Sequence, residues 1–206
     1  MDTEVKLTHN DYEVTKREIL YKGVFCLARY HIRQRLFKGG WSEIYQREVL
    51  ERYSASGVLP YDPIRDRVIL IEQFRPGSLA EPKSPWLLEI PAGVLVTAEE
   101  TPEELARREA MEEAGCEVLA IESVYDYFVS PGATNEYIHL YCGKVDATHI
   151  NGIHGLAHEH EDIRVINLSA EEAFNKLHTG HIKTAPAIIT LQWLELHRAR
   201  LRKQWA

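Results

Sequence analysis

The stretch Glu99-Glu100-Thr101-Pro102-Glu103-Glu104-Leu105-Ala106-Arg107-Arg108-Glu109-Ala110-Met111-Glu112-Glu113-Ala114-Gly115 decides how the chain is read. Its opening signals a helix start. Thr101 is a good N-cap, Pro102 suits the first helical position, and Glu104 closes a Thr-x-x-Glu capping box. Gly115 supplies the left-handed residue at which such helices end. Ala106, Ala110 and Ala114 recur at i,i+4 and form a small-residue stripe that permits close approach to a sheet. With about 100° of rotation per residue, Glu109 and Glu113 lie about 40° apart, and Glu112 sits about 60° to the other side of Glu109. Carboxylates so spaced repel one another. One reading is a solvated charged helix. The other is a platform for a hard, oxygen-preferring divalent cation, Mg²⁺ or its substitute Mn²⁺.

Outward from this helix, the composition sets bounds. The chain has 206 residues, enough for one sizeable domain with an appendage. A net charge of −7 argues against nucleic acid as the main partner. No run of 18 apolar residues occurs and the polar start, Met1 to Arg17, is unlike a signal peptide, so no membrane segment is expected. Cys26, Cys116 and Cys142 are odd in number and lack metal-type spacing, which points to a reducing cytoplasm.

Strand-type segments precede the helix. Residues 18–36 and 42–52 are rich in β-branched and aromatic residues, with Lys38-Gly39-Gly40 as the turn between them. A second pair covers 54–61 and 67–74 across a Pro-containing turn, and Trp86 to Ile90 forms a short apolar strand leading into Pro91-Ala92-Gly93. Beyond the helix, strands are expected near 117–128, 136–145 and 163–167. Ser169-Ala170-Glu171-Glu172 is a second capping box, and Thr184 ahead of Ala185-Pro186 opens a C-terminal helix. Strands on both sides of an interior helix suggest an α/β arrangement, a mixed sheet between helical layers.

Gly93, Glu100 and the run Arg108-Glu109-Ala110-Met111-Glu112-Glu113-Ala114-Gly115-Cys116 resemble the Nudix box, G-x5-E-x7-R-E-U-x-E-E-x-G-U, where U is a bulky apolar residue. From Glu100 onward the spacing matches. One extra residue separates Gly93 from Glu100, which implies a bulged loop, and Ala110 and Cys116 are small for the U positions. The resemblance implies the Nudix α/β/α sandwich with a mixed sheet. Leu20 to Phe25, Ile71 to Arg75, Trp86 to Glu89 and Ser130 to Thr134 look like bacterial ADP-ribose pyrophosphatases of that family. Pro131 stands about where a proline marks that group. Residues 1–52 resemble the group's N-terminal antiparallel β-sheet, which packs across the interface of a homodimer, and 53–206 would be the hydrolase domain.

By this resemblance Glu109, Glu113, the Ala92 carbonyl and, from the late loop His154 to Ile163, Glu161 are metal ligands. Glu112 is a further ligand or a supporting group. Glu113 is also counted as catalytic, and Glu159 is the choice for general base, with Glu161 two positions away as its rival. A diphosphate repels an incoming nucleophile, so metal ions that neutralise it and a base delivered by a loop suit its hydrolysis. Arg108 is expected to pair with box glutamates, and Glu100 to support them. Substrate contacts are assigned to Phe25 as a stacking partner, Arg52, Arg75 and Glu136, with Arg47 as a further cross-dimer candidate.

The cluster His154, His158, Glu159, His160, Glu161 and Asp162 also admits a zinc reading, although it lacks an H-E-x-x-H helix and sits in a loop marked by Gly152 and Gly155. The expected activity is Mg²⁺-dependent hydrolysis of ADP-ribose to AMP and ribose 5-phosphate, with other ADP-sugars as further substrates. The alternatives are a GDP-mannose or other nucleoside-diphosphate-sugar hydrolase and a non-catalytic nucleotide sensor of the same fold.

Overall fold

The computed structural model describes residues 6–80, 82–97 and 99–205. The chain divides into two compact units. One comprises the described residues up to Tyr53 together with Phe128–Tyr137, and the other comprises Ser54–Tyr127 with Ile138 onward. Part of the polar start, residues 1–5, lies outside the described residues.

The first unit is a three-stranded antiparallel sheet of β1 (Tyr12–Lys22), β2 (Cys26–Gln34) and β3 (Tyr45–Glu51), in that order. Gly39 and Gly40, both at positive φ, carry the chain from β2 towards β3. β1 begins at Tyr12 rather than at residue 18. Ten of its eleven residues are exposed, so it lacks the in–out alternation by which a half-buried strand declares itself. Ala28 alone among the three strands is fully buried, so this sheet has no apolar layer of its own.

The second unit holds an eight-stranded mixed sheet. Its continuous path is β10 (Ile153–His154), β11 (Ile163–Ser169), β5 (Arg67–Phe74), β4 (Ala55–Asp62), β9 (Tyr137–Lys144) and β8 (Ala120–Phe128). β4 runs parallel to β9 and antiparallel to β5. The β4–β5 pairing covers only Tyr61↔Val68 and Asp62↔Arg67. Beyond that the two strands splay, and each takes a separate partner. β6 (Trp86–Glu89) pairs with β5, and the three-residue β7 (Ala92–Val94) pairs with β4. The fork brings Ile90-Pro91 across the gap, where the Pro91 carbonyl accepts from Val58 N.

Alternation along the strands sends side chains to two cores. Ile69, Ile71, Val58, Ile163 and Val165 pack on one face against Ala106, Ala110 and Ala114 of helix α1 (Pro102–Ala114). Val68, Leu70, Leu59 and Leu140 pack on the other face against α2 (Ala170–His178) and α3 (Ala185–Trp205). The three alanines have no exposed surface, so α1 lies close on the sheet and its acidic side falls at the rim of the packed layer. Burial of each large aliphatic side chain contributes roughly 1.5–3 kcal/mol. The result is an α/β/α sandwich.

Both ends of α1 are locally encoded. Thr101 Oγ1 accepts from Glu104 N, and the Glu104 carboxylate accepts from Thr101 N at 2.8 Å. Gly115 closes the helix in the left-handed conformation at φ 62°. Ser169 and Glu172 form the same reciprocal cap at α2. Among the described residues, no helix is long and apolar enough to cross a membrane.

Candidate active site

The α1 carboxylates do not share one environment. Glu113 is only 2% exposed and its Oε2 accepts a 2.8 Å hydrogen bond from the amide of Ala92, the first residue of β7. The sheet fork therefore places a backbone donor against a buried glutamate. Burial pushes the Glu113 carboxyl up to about 8, the Ala92 amide opposes that rise, and the charges of Glu109 and Glu161 add to it. Burial likewise raises Glu109 to about 7, against the pull of Arg108 and with a push from Glu112 and Glu161. Glu161 of the late loop thus opposes ionisation of both helix glutamates.

Arg108 neutralises part of it. Its guanidinium reaches Glu100 at 2.9 Å, Glu112 at 2.6 Å and Glu109 at 3.0 Å. The expected pairing of Arg108 with helix glutamates is thus present, and Glu100, expected only in a supporting part, pairs with it as well. Gly93 lies so near this face that a Cβ there would stand 2.0 Å from Glu109 Oε1. The missing Cβ at Gly93 lets the backbone after Ala92 come this close with the Glu109 carboxylate in its present place.

The late loop folds back on itself. Glu161 Oε2 accepts from Leu156 N at 3.0 Å, and Glu161 N donates to the Leu156 carbonyl. Gly155, at φ 100°, donates its amide to the Glu112 carbonyl at 3.3 Å and so fastens the loop to α1. Glu159 stands out from this knot, with more than half its side chain exposed and His158 Nε2 3.7 Å away.

Among the described residues, no three His, Cys, Asp or Glu side chains converge on one point at metal-ligand distance. The His154 ring faces the Asn151 carbonyl instead of another histidine. On α1, Glu109 and Glu112 are turned to Arg108 and Glu113 to the Ala92 amide. The donor chemistry still fits a hard divalent ion. The donors are all oxygen, two carboxyls are raised by burial and mutual repulsion, and the glycine at 93 leaves backbone within reach.

The expected substrate residues fall in both units. In the first, Arg52 joins two of them. Its guanidinium carbon lies 4.9 Å from the centre of the Phe25 ring, and its Nη1 bonds the Glu136 carboxylate at 3.1 Å. Arg52 N also donates to Asn135 Oδ1 at 2.7 Å. Arg47, by contrast, lies over Tyr45. In the second unit Arg75, just past β5, is held by Glu89 of β6, whose carboxylate also accepts from Gln73 at 3.0 Å. Glu89 and Gln73 lie in two of the stretches that carry the resemblance, but sequence reasoning assigns neither a role. The only local signal is a charge ending the apolar strand Trp86-Leu87-Leu88-Glu89.

A family model described as the NUDIX domain matches residues 51–203. The chain is 47% identical over 197 residues to the ADP-ribose pyrophosphatase of Escherichia coli strain K12, which spans 96% of this chain and 94% of that protein. It is 33% identical over 193 residues to the GDP-mannose pyrophosphatase of Cronobacter sakazakii, over 89% of this chain and 95% of that protein. A crystal structure of an ADP compounds hydrolase superposes with a TM-score of 0.68 over 97% of this chain and 98% of that one. At 17% identity, that likeness concerns the fold.

Proposed function

The chain belongs to the NUDIX domain family, and on that premise we propose that it hydrolyses the diphosphate of ADP-ribose to AMP and ribose 5-phosphate, with other ADP-sugars as further substrates. One observation carries the reading. The buried Glu113 carboxylate is fixed by the Ala92 amide beside Glu109, inside a region nearly half identical to an ADP-ribose pyrophosphatase.

In this reading Glu109, Glu112, Glu113, Glu161 and the Ala92 carbonyl hold Mg²⁺, or Mn²⁺ in its place. The bound ion supplies charge neutralisation at the diphosphate and acidifies a water. Glu159 takes the proton from the attacking water, a task suited to a side chain on a loop end and outside the ligand set. Glu109 and Glu112 would hold the ion in place of their present pairing with Arg108, whose guanidinium Glu100 also engages. Arg75 contacts a phosphate oxygen. Phe25, Arg52 and Glu136 are proposed as substrate contacts, Phe25 through its ring and Glu136 through ribose hydroxyls.

The same reading makes residues 1–52 a dimerisation region and 53–206 the hydrolase domain. A homodimer is supported by the exposed Tyr12, Val14, Ile19 and Tyr21 on a sheet without a second layer. A cytoplasmic place is supported by three unpaired cysteines.

Phosphorus NMR of ADP-ribose and a nucleotide-sugar panel, with Mg²⁺ and with chelator, tests the activity. Metal-dependent appearance of AMP and ribose 5-phosphate is expected. GDP-mannose is the comparison substrate, because the chain is one-third identical to a GDP-mannose pyrophosphatase, and faster turnover of it would displace the ADP-ribose reading. Binding without cleavage of any member would make the chain a sensor. Sedimentation velocity tests the dimer.

A further inference from the structure

We propose that Glu89 is a positioning residue, fixing the Arg75 guanidinium in the orientation that receives a phosphate of the substrate. The inference rests on the hydrolase reading above and deepens it at the same site.

The register puts the three groups together. Ile71 pairs with Glu89 across the β5–β6 ladder, and Ile71 faces α1. Gln73 and Arg75 follow Ile71 at steps of two, so Gln73, Arg75 and Glu89 belong to the face of the sheet that carries α1 and Glu113.

The contacts among the three are asymmetric. Glu89 Oε2 accepts from Gln73 Nε2 at 3.0 Å and from Arg75 Nε at 2.9 Å, with Arg75 Nη2 at 2.8 Å. Gln73 is buried, the Glu89 side chain is 13% exposed, and that of Arg75 is 46% exposed. The order of burial matches the order of attachment. A buried amide fixes the carboxylate, and the carboxylate fixes a guanidinium that reaches solvent. Glu89 engages the Nε and Nη2 of the fork, and Nη1 has no partner among the described residues. A long side chain at a strand end has many rotamers, and losing them beforehand makes each later phosphate contact more favourable.

A double-mutant cycle tests this. Wild type, Glu89→Gln, Arg75→Ala and the double variant are assayed for ADP-ribose hydrolysis with Mg²⁺, for ADP binding by calorimetry, and for melting temperature. Glu89→Gln is expected to lower kcat/KM by about tenfold to a hundredfold, the scale of a displaced binding group, and to weaken ADP binding with little change in melting temperature. In the Arg75→Ala background it should change neither quantity further. An equal loss in both backgrounds would overturn the proposal, as would a fall in melting temperature with ADP affinity unchanged. Glu89→Asp keeps the charge and is expected to recover part of the loss. If wild type cleaves no nucleotide sugar, the hydrolase reading fails by itself. The cycle on ADP binding then still decides whether Glu89 acts through Arg75.

Discussion

The Glu113 carboxylate accepts its 2.8 Å hydrogen bond from the backbone amide of Ala92, so the last turn of α1 and the first residue of β7 meet through one buried acidic group. Replacing Glu113 by Gln keeps the shape and an oxygen that can accept from Ala92, and removes the group's capacity to ionise. If the group serves as ligand and catalytic residue, kcat should fall by about 10²–10⁴-fold, the range of one lost electrostatic or acid–base group. The melting temperature should not fall, because a neutral amide suits a buried place better than a carboxylate. Steady-state rates beside a thermal melt check both halves, and a variant at wild-type rate would remove Glu113 from the mechanism.

Glu159 and Glu161 differ by two positions and by what holds them. Glu161 is tied to Leu156 N, whereas Glu159 is largely exposed. Glu159→Gln is therefore expected to lower kcat by about 10²–10⁴-fold with the Mg²⁺ concentration for half-maximal rate unchanged. Glu161→Gln should raise that concentration. Metal titrations of the two rates distinguish them, and the reverse pattern would exchange the roles of base and ligand.

The sequence conveys the elements whose signals are local. Thr101, Pro102, Glu104 and Gly115 each act within a few residues, so both ends of α1 can be read directly, as can the start of α2 at Ser169. The strand at 67–74 is also legible, because burial on both faces leaves the continuous apolar run Val68-Ile69-Leu70-Ile71. β7 is not legible. Ala92-Gly93-Val94 has neither length nor pattern, and it becomes a strand only because β4 splays from β5 and leaves an edge. The acidic set could be found by helix spacing, but the inward turn of Glu113 depends on that fork. Glu89 and Arg75 lie 14 positions apart in sequence, and only the cross-strand register joins them.

Gly93 offers a test that leaves every carboxylate in place. A Cβ at this position meets Glu109 Oε1 at 2.0 Å and Cδ at 2.4 Å, so Gly93→Ala must displace the Glu109 side chain. The displaced atoms are the far end of a flexible chain, and the fold can absorb the change. Activity should fall by about 10²-fold, as for a group moved by roughly an ångström, while the melting temperature stays near that of wild type. Rates and melts of Gly93→Ala beside Glu109→Gln check this. Wild-type activity in the alanine variant would show that Glu109 need not stand where it does.

Asp66 governs acid stability far from the glutamates. It occupies the turn between β4 and β5 at φ 58°, and its carboxylate accepts from Arg198 Nε at 2.9 Å and from the Tyr61 hydroxyl at 2.7 Å. Burial alone would raise its pKa. The Arg198 and Tyr61 bonds, with the charges of Arg198 and Arg202, outweigh that and hold the carboxyl below its ordinary value. A folded pKa below the unfolded one means that the group binds protons more readily after unfolding. Its contribution is complete above the unfolded value of about 4 and is lost as the pH falls through the folded value. Asn tolerates the left-handed conformation, so Asp66→Asn isolates the charge from the turn. The variant should be less stable than wild type at pH 7 by about 1–3 kcal/mol, the scale of hydrogen bonds to a charged group, and the gap should close as the pH drops below about 4. Urea unfolding at a series of pH values measures this directly. A gap that does not change with pH would assign the loss to packing rather than to the carboxylate.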